Sequence, residues 1–300
     1  MTQQHGVLLV DKPEGLTSAQ VTGRIKRRLG QPKIGHAGTL DPMATGLLVV
    51  LLGQATKLNE HLHAGPKTYR GVLRLGITTD TYDREGTVLQ EAPWQHILPE
   101  TVAADISGWI ELTQQEVPPV SAAKHHGTPG YALVRQGITP PRKEKPITIF
   151  SAQVLHMDLP RVQFRVTCST GTYVRSLAHS LGMRLGCGAV LEELTREACQ
   201  PFTLDMAHSL SRILEAGEDL GSMVIPIPKA LPHWPKLQLT PNQVVPVQRG
   251  MALPAGMFPQ TPATPGSKAL LLSPEGEALA LARAAFQGKT LVWAVLRGLW

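Results

Sequence analysis

The sequence predicts an α+β protein with a small, β-rich module at its C-terminal end. In two segments, 69–76 and 161–168, apolar and polar residues alternate as they do in a half-buried strand. In two others, 21–29 and 174–185, apolar residues recur three or four positions apart, which is typical of an amphipathic helix. Near the end of the chain, short strand candidates follow a proline-rich stretch.

The composition indicates a globular chain that binds a polyanion. Of the 300 residues, 42% are hydrophobic and 17% are charged, which excludes a disordered chain. Lysine and arginine number 29 against 23 acidic residues, so the formal net charge is +6. Nucleic acid is the first candidate partner and an anionic membrane surface the second. Five Phe and four Tyr are too few for binding mainly through an extended aromatic platform, so backbone and pocket contacts are expected to dominate.

The cysteines and the apolar runs bear on metal binding and location. Cys168, Cys187 and Cys199 form no CxxC pair and are odd in number, which favours neither a zinc site nor a complete disulfide framework. The first residues lack the basic segment of a secretion signal. The longest aliphatic run, 47–52, is far shorter than the roughly 20 residues of a membrane helix. We therefore expect a cytoplasmic protein that does not enter a membrane.

The first elements along the chain are a strand, a turn and a basic helix. Residues 7–10 form a continuous apolar run, and a turn at 11–15 carries Lys12. The spacing that follows predicts a helix capped at position 17 or 18 and ended by Gly30. Basic residues collect on and just after this helix, namely Arg24, Lys26, Arg27, Arg28 and Lys33. These side chains either contact phosphates or only face solvent.

A glycine-punctuated loop, 35–46, leads into the apolar run 47–52. Its glycines allow a ligand to approach the backbone closely. Pro42 restricts the residue before it, so Asp41 is held on an ordered loop. Neither GxGxxG nor GxxxxGKS/T is present, and the loop precedes a strand instead of a helix. The sequence therefore predicts chemistry at Asp41 and gives no indication of a nucleotide cofactor.

The two alternating segments and the second helix supply further candidates. Tyr69 lies on the core face of its strand, where a packed tyrosine is more frequent than a functional one. The second strand leads through a loop to a helix that begins at position 173 or 174. Arg175 falls in the first turn of this helix, where a cation opposes the helix dipole. A buried carboxylate partner would explain an arginine at this position.

The C-terminal region differs in composition from the rest of the chain. Four prolines in 226–235 predict a stiff linker. Three short strand candidates follow, at 269–272, 278–282 and 290–296. We therefore expect two domains, residues 1–230, which hold the candidate site, and residues 237–300, which form a small β-rich module.

Together, these segments resemble the TruB family, the bacterial tRNA pseudouridine-55 synthases. The loop 35–46 resembles the catalytic signature of the family, and eight further segments match its pattern in the same order, over residues 6 to about 205. These segments are Asp11-Lys12-Pro13 with Gly15, Lys67-Thr68-Tyr69-Arg70, Leu75-Gly76 with Thr79-Asp80-Thr81 and Asp83, Ser121-Ala122-Ala123-Lys124, Tyr131 with Arg135-Gln136-Gly137, Arg142 with Pro146-Ile147, Gly171-Thr172-Tyr173-Val174-Arg175, and Leu185-Gly186-Cys187-Gly188-Ala189. So many matches in one order exclude chance.

Two positions depart from the pattern of the family. Val120 stands where the family usually has Tyr, and Tyr82 stands where it usually has a small residue. Neither position lies in the catalytic loop, and both concern local contacts with RNA. The C-terminal region resembles a PUA-type RNA-binding module only loosely, by its position as much as by its residues.

The resemblance implies a pseudouridine-synthase fold, which is a mixed, largely antiparallel sheet flanked by helices, with a PUA-like C-terminal module. It implies a monomeric enzyme that isomerises uridine 55 in the T-loop of tRNA to pseudouridine, without cofactor or metal. Asp41 would act on a flipped-out nucleotide, either by covalent addition or by removing a ribose proton first. Arg175 would pair with Asp41 and keep it ionised. Tyr69 would stack on the target base and assist its C5 proton.

The resemblance also implies contacts with the substrate. Tyr173 and Leu194 would form walls of the pocket, and His36 would fill the gap that the extruded base leaves in the T-loop. A metal-binding role for His36 is not expected, because no second ligand lies at a suitable spacing. Further expected contacts with the T-arm of tRNA are Lys12, Gly38 and Lys124.

Two interpretations from other classes stand beside this one. In the first, the chain is a noncatalytic tRNA-binding or folding protein on the same scaffold; an altered Asp41 or Tyr69 would signal it, and neither is altered. In the second, the chain is a hydrolase that uses Asp80 and Asp83 as acid and base, although their surroundings favour a solvated turn. Because the motifs end before residue 205, a chain that ends near Leu231 is expected to keep its catalysis.

Overall fold

The computed structural model describes residues 3–121, 124–125, 128–138 and 143–300. The strands are β1 (Gly6–Lys12), β2 (Ile34–His36), β3 (Thr45–Leu52), β4 (Lys67–Leu75), β5 (Ile77–Thr79), β6 (Val88–Glu91), β7 (Gln114–Glu116), β8 (Lys124–His125), β9 (Thr128–Pro129), β10 (Glu144–Pro146), β11 (Ile149–Asp158), β12 (Arg161–Cys168), β13 (Ala189–Cys199), β14 (Phe202–Thr203), β15 (His208–Ser209), β16 (Val224–Pro226), β17 (Lys236–Gln238), β18 (Leu253–Pro254), β19 (Lys268–Leu272), β20 (Ala278–Gln287) and β21 (Thr290–Gly298).

The α-helices are α1 (Ser18–Leu29), α2 (Asn59–His63), α3 (Pro99–Ser107), α4 (Gly130–Arg135), α5 (Val174–Arg184), α6 (Leu210–Glu215), α7 (Leu220–Met223), α8 (Ile227–Ala230) and α9 (Pro241–Gln248). Short 3-10 helices occupy Gly53–Leu58, Gly108–Glu111, Leu204–Met206, Gly217–Asp219 and Ala255–Met257. Within the described residues, none of the helices combines the length and the apolar character needed to cross a membrane.

Ten strands form one mixed sheet that carries the site. Its strand order is β11-β12-β4-β13-β3-β1-β15, and β2, β14 and β16 pair with β3, β13 and β1. The strand pairs are antiparallel, apart from β13 beside β3 and β15 beside β1. The expectation of a mixed, largely antiparallel sheet is confirmed.

Strand β1, which lies between β3 and β15 in this sheet, is buried on both of its faces. Leu8 and Val10 contribute to one apolar core, which includes Val21 and Ile25 of α1. Val7 and Leu9 contribute to a second core, which residues of the C-terminal sheet complete. Burial on both faces explains why residues 7–10 of this strand are all apolar instead of alternating with polar residues.

Helix α1 begins and ends as the sequence predicts. The Thr17 side chain accepts a hydrogen bond from the Gln20 backbone N–H, and the Gln20 side chain accepts one from the Thr17 backbone N–H, which together form a capping box. Gly30 ends the helix with a φ of 58°, a conformation that glycine adopts readily. The basic last turn of the helix complements the negative end of its dipole.

A second sheet of five strands, in the order β17-β19-β20-β21-β18, forms the C-terminal region. Strands β19, β20 and β21 confirm the three strands predicted there. The prediction of a stiff linker before them is wrong. Ile227, Ala230 and Leu231 are buried in the second core together with Leu270 and Leu299. The prolines of this stretch alternate with apolar residues, so the segment packs against the large sheet instead of spanning solvent.

Helix α2 lies where the two regions meet. The His61 ring contacts the Trp234 ring at a centroid distance of 4.8 Å. The Lys268 ammonium of β19 lies 5.6 Å from the centre of the Trp234 ring and 3.4 Å from His61 Nδ1. These contacts add a partly polar margin to the apolar interface between the sheets.

Candidate active site

Asp41 lies on the loop between β2 and β3, which pair antiparallel. The Ser18 hydroxyl at the start of α1 donates to the Leu40 carbonyl at 3.1 Å and accepts the Leu40 backbone N–H at 2.8 Å. The Gly15 backbone N–H donates to the Pro42 carbonyl. The loop is therefore fixed on both sides of Asp41, as its proline predicted.

The carboxylate partner that Arg175 requires is present. Arg175 Nε lies 2.9 Å from Asp41 Oδ2. The Arg175 side chain is 5% exposed, whereas that of Asp41 is 37% exposed. The buried guanidinium thus fixes the position of the carboxylate, which stays partly accessible to solvent.

Further contacts hold the Arg175 guanidinium in place. Nη1 lies 3.4 Å from a carboxylate oxygen of Asp83 and donates to the Thr81 carbonyl at 2.8 Å. Nη2 donates to the Val120 carbonyl at 3.0 Å. A guanidinium with so many fixed acceptors has little freedom to turn, so its orientation toward Asp41 is built into the fold.

Asp83 is buried, and the expectation that it lies in a solvated turn is wrong. Its carboxylate accepts hydrogen bonds from the Thr81 hydroxyl at 2.6 Å and the Glu85 backbone N–H at 3.1 Å. Asp80 instead accepts the Thr87 backbone N–H in the turn itself. The two carboxylates have separate structural partners, which does not fit an acid and base pair across one bond.

A cavity of about 660 Å³ opens over the Asp41 carboxylate. Six residues predicted from the sequence line it, namely Gly38, Asp41, Tyr69, Tyr173, Arg175 and Leu194. The cavity therefore brings together side chains from the loop before β3, from β4, from β13 and from the start of α5.

Tyr69 lies on the core face of β4, as the alternation predicts, and is 7% exposed. Burial raises the pKa of its hydroxyl to about 12, and the neighbouring Arg196 guanidinium opposes this shift. The side chain therefore remains a phenol, with a proton to donate and an aromatic face on the cavity.

Arg196 of β13 was not predicted from the sequence. It is fully buried, and its guanidinium donates from Nε to the Leu47 carbonyl and from Nη2 to the Gly38 carbonyl. Gly38 has a φ of 100°, and a Cβ there would lie 3.3 Å from Arg196 Nη1. At Gly46, a Cβ would lie 2.5 Å from the Arg196 carbonyl oxygen. Glycine at these two positions lets β13 pack closely against the loop that carries Asp41.

Several cations beside the carboxylate were also missed. Lys67, Lys143 and Lys145 line the cavity together with His63. Burial lowers the pKa of Lys67, whose ammonium donates to the His63 and Gly65 carbonyls. Burial, followed by the charge of Lys67, lowers the pKa of His63 and favours its neutral form. The surroundings of Asp41 are thus basic, which suits an anionic ligand.

Tyr173 is fixed through its backbone by Gln115 of β7. The Gln115 amide donates to the Tyr173 carbonyl at 2.8 Å and accepts the Tyr173 N–H at 2.7 Å. Because Tyr173 is the N-cap residue of α5, this pair of bonds also fixes the first turn, where Arg175 lies.

Two predicted contact residues, Lys12 and His36, do not line the cavity. Lys12 lies at the end of β1 and is buried, and its ammonium donates to the Pro13 and Pro42 carbonyls. Burial lowers the pKa of Lys12 to about 8, against the charge of Asp41. His36 is half-buried in β2, and burial lowers its pKa as well. Lys124 belongs to β8, and its side chain lies outside the described part of the structure.

Over the described part of the chain, no three His, Cys, Asp or Glu side chains are grouped as a metal ion would require. The Cys168 thiol, at the end of β12, is buried, and this burial raises its pKa to about 11. The described residues thus bring several kinds of chemical group to the cavity: the Asp41 carboxylate with its arginine, the Glu144 carboxylate, the phenols of Tyr69 and Tyr173, the His63 imidazole and several ammonium groups.

Comparison with known proteins agrees with this arrangement. The sequence profile of the "TruB family pseudouridylate synthase (N terminal domain)" matches residues 26–174. A solved structure described as "Crystal Structure of a Cbf5-Nop10-Gar1 Complex" superposes with a TM-score of 0.74 at 25% identity, covering 99% of this chain and 85% of that chain. The fold and the site thus define a pseudouridine synthase.

Relatives that match this chain over its whole length identify its family more specifically. A protein of Nitratidesulfovibrio vulgaris (strain Miyazaki F) named tRNA pseudouridine synthase B is 54% identical over 99% of this chain and 97% of the relative. A protein of Oleidesulfovibrio alaskensis with the same name is 53% identical over 100% of this chain and 98% of the relative. The chain belongs to the TruB family of pseudouridylate synthases.

Proposed function

We propose that this enzyme isomerises a uridine of tRNA to pseudouridine, and that the target is uridine 55 in the T-loop. The observation that carries the proposal is the Asp41 carboxylate, accessible from a basic cavity and held at 2.9 Å by a buried arginine. Relatives more than half identical over the whole chain are named for tRNA. The net charge of +6 also suits this polyanion.

The chemistry needs one carboxylate and no added reactant. The N1–C1′ glycosidic bond breaks, the uracil turns, and C5 bonds to C1′. The C5 proton is then lost and N1 gains one, so that the ring is restored with no net change in atoms. Asp41 acts either as a nucleophile or as a base toward a ribose proton, and both roles require the ionised form. The Arg175 guanidinium lies within ion-pair distance of the carboxylate and complements its charge.

Tyr69, Tyr173 and Leu194 offer the walls for the flipped base. Tyr69 presents an aromatic face from β4, and stacking of a base on such a face contributes about 1–3 kcal/mol. Since the pKa of Tyr69 is about 12, its phenol acts as a proton donor or a packing surface near neutral pH, and not as a preformed base. The raised pKa therefore argues against Tyr69 as the base that takes the C5 proton and favours a hydrogen-bonding or packing role for its side chain.

The ammonium groups at the cavity provide contacts for the RNA backbone. Lys143 and Lys145 lie on either side of Glu144 at the start of β10, and all three residues line the cavity. A flipped nucleotide brings its phosphates to the edge of the pocket, where these cations compensate the charge. We propose that the enzyme acts on tRNA as a monomer, in the cytoplasm.

The test is to map pseudouridine in unmodified tRNA after incubation with the purified protein. Pseudouridine at position 55, formed without added cofactor and in the presence of EDTA on a short T-arm stem-loop, supports the proposal. Modification of a different uridine would contradict the target, and activity restored by zinc after EDTA would contradict the cofactor-free chemistry. Tight tRNA binding without any pseudouridine would instead favour a noncatalytic tRNA-folding protein.

A further inference from the structure

Tyr82 has an unusual backbone conformation beside the site. Its φ is 66°, and among the described residues it is the one non-glycine residue with a positive φ. This left-handed region is costly for a bulky side chain, and such outliers persist where the surroundings hold them in place. The TruB family usually has a small residue here, which adopts this conformation more easily. A tyrosine at position 82 therefore needs an interaction that holds it.

The Tyr82 ring has such an interaction with helix α5. It stacks on the His179 ring at a centroid distance of 3.7 Å and an interplanar angle of 7°. His179 lies four residues after Arg175, so it occupies the same side of the helix one turn further on. The stack thus connects the loop at 79–83 to the helix that carries the catalytic arginine.

The loop held in this way supplies two of the partners of Arg175. The residue before Tyr82 offers its carbonyl to Arg175 Nη1 at 2.8 Å, and the residue after it places a carboxylate 3.4 Å from the same nitrogen. The Tyr82 carbonyl accepts the Leu191 N–H of β13 at 3.1 Å. With the Tyr82 backbone in the left-handed region, the neighbours Thr81 and Asp83 both face the guanidinium.

We propose that Tyr82 is a positioning residue for the reaction in this chain. Its ring, stacked on His179, holds the 79–83 loop in the one conformation that presents Thr81 and Asp83 to Arg175, and Arg175 in turn orients Asp41. The ring touches neither substrate nor reacting atoms in this role. The inference rests on the proposed function, because the orientation of Asp41 matters only if Asp41 acts on the nucleotide.

Four variants distinguish the contribution of the Tyr82 ring from that of its hydroxyl and from that of the strained backbone. Tyr82→Phe keeps the stack, Tyr82→Ala removes the ring from a strained backbone, and Tyr82→Gly removes the ring and relieves the strain. His179→Ala removes the partner. Met183→Ala, one turn further along α5 at an exposed position, is the matched control. Melting curves establish that each variant is folded before its rate is compared.

The readout is the single-turnover rate at saturating tRNA, together with the dissociation constant for tRNA. We expect Tyr82→Ala, Tyr82→Gly and His179→Ala to be slower by about tenfold with unchanged affinity, which is the scale of one aromatic pair. Tyr82→Phe and Met183→Ala should match the parent. The double variant Tyr82→Ala with His179→Ala should be no slower than either single variant, since both remove one interaction.

Other outcomes overturn the proposal. Parent-like rates for Tyr82→Gly would mean that the ring is not needed, and a Tyr82→Phe variant as slow as Tyr82→Ala would assign the effect to the hydroxyl. A second readout does not depend on activity. The Arg175 Nε–H resonance in ¹⁵N NMR should stay sharp in the parent and in Tyr82→Phe and broaden in Tyr82→Ala. If the parent makes no pseudouridine, the proposed function fails while this NMR comparison still decides the positioning role.

Discussion

The Asp41 loop, 35–46, and the C-terminal sheet both lie against strands β1 and β3, but they differ in the contacts that hold them. In addition to the buried Leu40 and Met43 side chains, polar groups fix the backbone of the loop, through Lys12 on the Pro42 carbonyl and Arg196 on the Gly38 carbonyl. Apolar side chains hold the C-terminal sheet, where Leu270 packs in the core that also contains Val7. Polar contacts depend on the identity and position of single atoms, whereas an apolar contact tolerates changes that conserve volume. Substitutions at the Asp41 loop should therefore lower activity more than stability, whereas substitutions at the C-terminal interface should lower stability more than activity.

The strongest test of this contrast is Asp41→Asn. The change replaces one oxygen by nitrogen in an exposed part of the loop, so the fold and the affinity for tRNA should be kept. Turnover should fall by about 10⁴-fold or more, as removal of a nucleophile does in other enzymes. Single-turnover assays on isolated tRNA measure the rate. Clear product from a variant free of deamidated protein would mean that Asp41 is not the reacting group.

The next effect in size is expected for Arg175→Lys. The charge is kept, but an ammonium cannot reproduce the planar set of donors that reaches Asp41, Asp83 and two carbonyls. We expect a rate about a hundredfold lower, comparable to the loss of a preorganised donor. Titration of labelled tRNA checks that binding is unchanged. A Lys variant with the parent rate would show that charge alone is sufficient at this position.

Substitutions of Tyr69 should have smaller effects on the rate and on tRNA binding, and these effects should differ between Phe and Leu. Tyr69→Phe keeps the aromatic face, so tRNA binding should stay normal, and any loss of rate measures the contribution of the hydroxyl proton. Tyr69→Leu removes the face as well and should lose about 1–3 kcal/mol of stacking. The two variants are compared by dissociation constant and single-turnover rate. An equal rate for Tyr69→Phe and the parent would reduce the residue to a packing role.

The C-terminal interface should lose stability and keep the chemistry. Leu270→Ala removes a buried side chain and should lower the free energy of unfolding by about 2–5 kcal/mol. Leu270→Met conserves volume and should cost less than about 1.5 kcal/mol. Chemical denaturation measures both, and the rate per folded molecule should not change. A rate that falls in proportion to stability would remove the contrast between the regions.

The same interface changes the expectation for a shortened chain. A chain that ends near Leu231 would lack Leu270 and Leu299, so the apolar core that contains Val7 and Leu9 of β1 would lose part of its packing. We therefore expect the truncated protein to melt at a lower temperature or to aggregate, whatever its catalytic motifs retain. A truncated chain with the parent melting temperature would support the independent domains inferred from the sequence.

The smallest effect expected is a pH dependence through Lys12. Its pKa is lowered from 10.5 to about 8 by burial, so the ammonium that holds the Pro42 carbonyl loses its proton as the pH rises through about 8. The rate should decline in that range. Stability should change in the opposite direction, because the unfolded chain binds more protons between pH 8 and 10.5 and folding is favoured as the pH rises. Lys12→Arg should move the decline in rate to higher pH, and an unmoved profile would assign it to another group.

Sequence patterns predicted those parts of the fold in which one face is buried at a regular period. Strands β4 and β12 and helices α1 and α5 follow their periods closely, and their bounds agree with the predictions. Strand β13 was missed because register shifts between Leu191 and Glu193 and between Arg196 and Ala198 interrupt its alternation. A linker was inferred at 226–235 because four prolines outweighed the apolar residues between them.

In the candidate site, too, the sequence predicted some residues and missed others. Asp41, Tyr69 and Arg175 lie in contiguous motifs, so a resemblance could locate them, and the helix dipole gave an independent reason to look for an acid near Arg175. Arg196 and Asp83 carry charges that ordinarily indicate an exposed position. Their burial depends on partners far apart in the sequence, which no local pattern shows.

Helix α2 contacts both regions within five residues. His61 contacts Trp234 and Lys268 at the interface of the sheets, whereas His63 lines the cavity and shares a hydrogen bond with the Thr170 hydroxyl. Residues in contact tend to vary together among related proteins. During divergence of this lineage, position 61 should therefore change together with 234 and 268, and position 63 together with 170. The two histidines of this helix would then be constrained separately, His61 by the contact between the two sheets and His63 by the cavity.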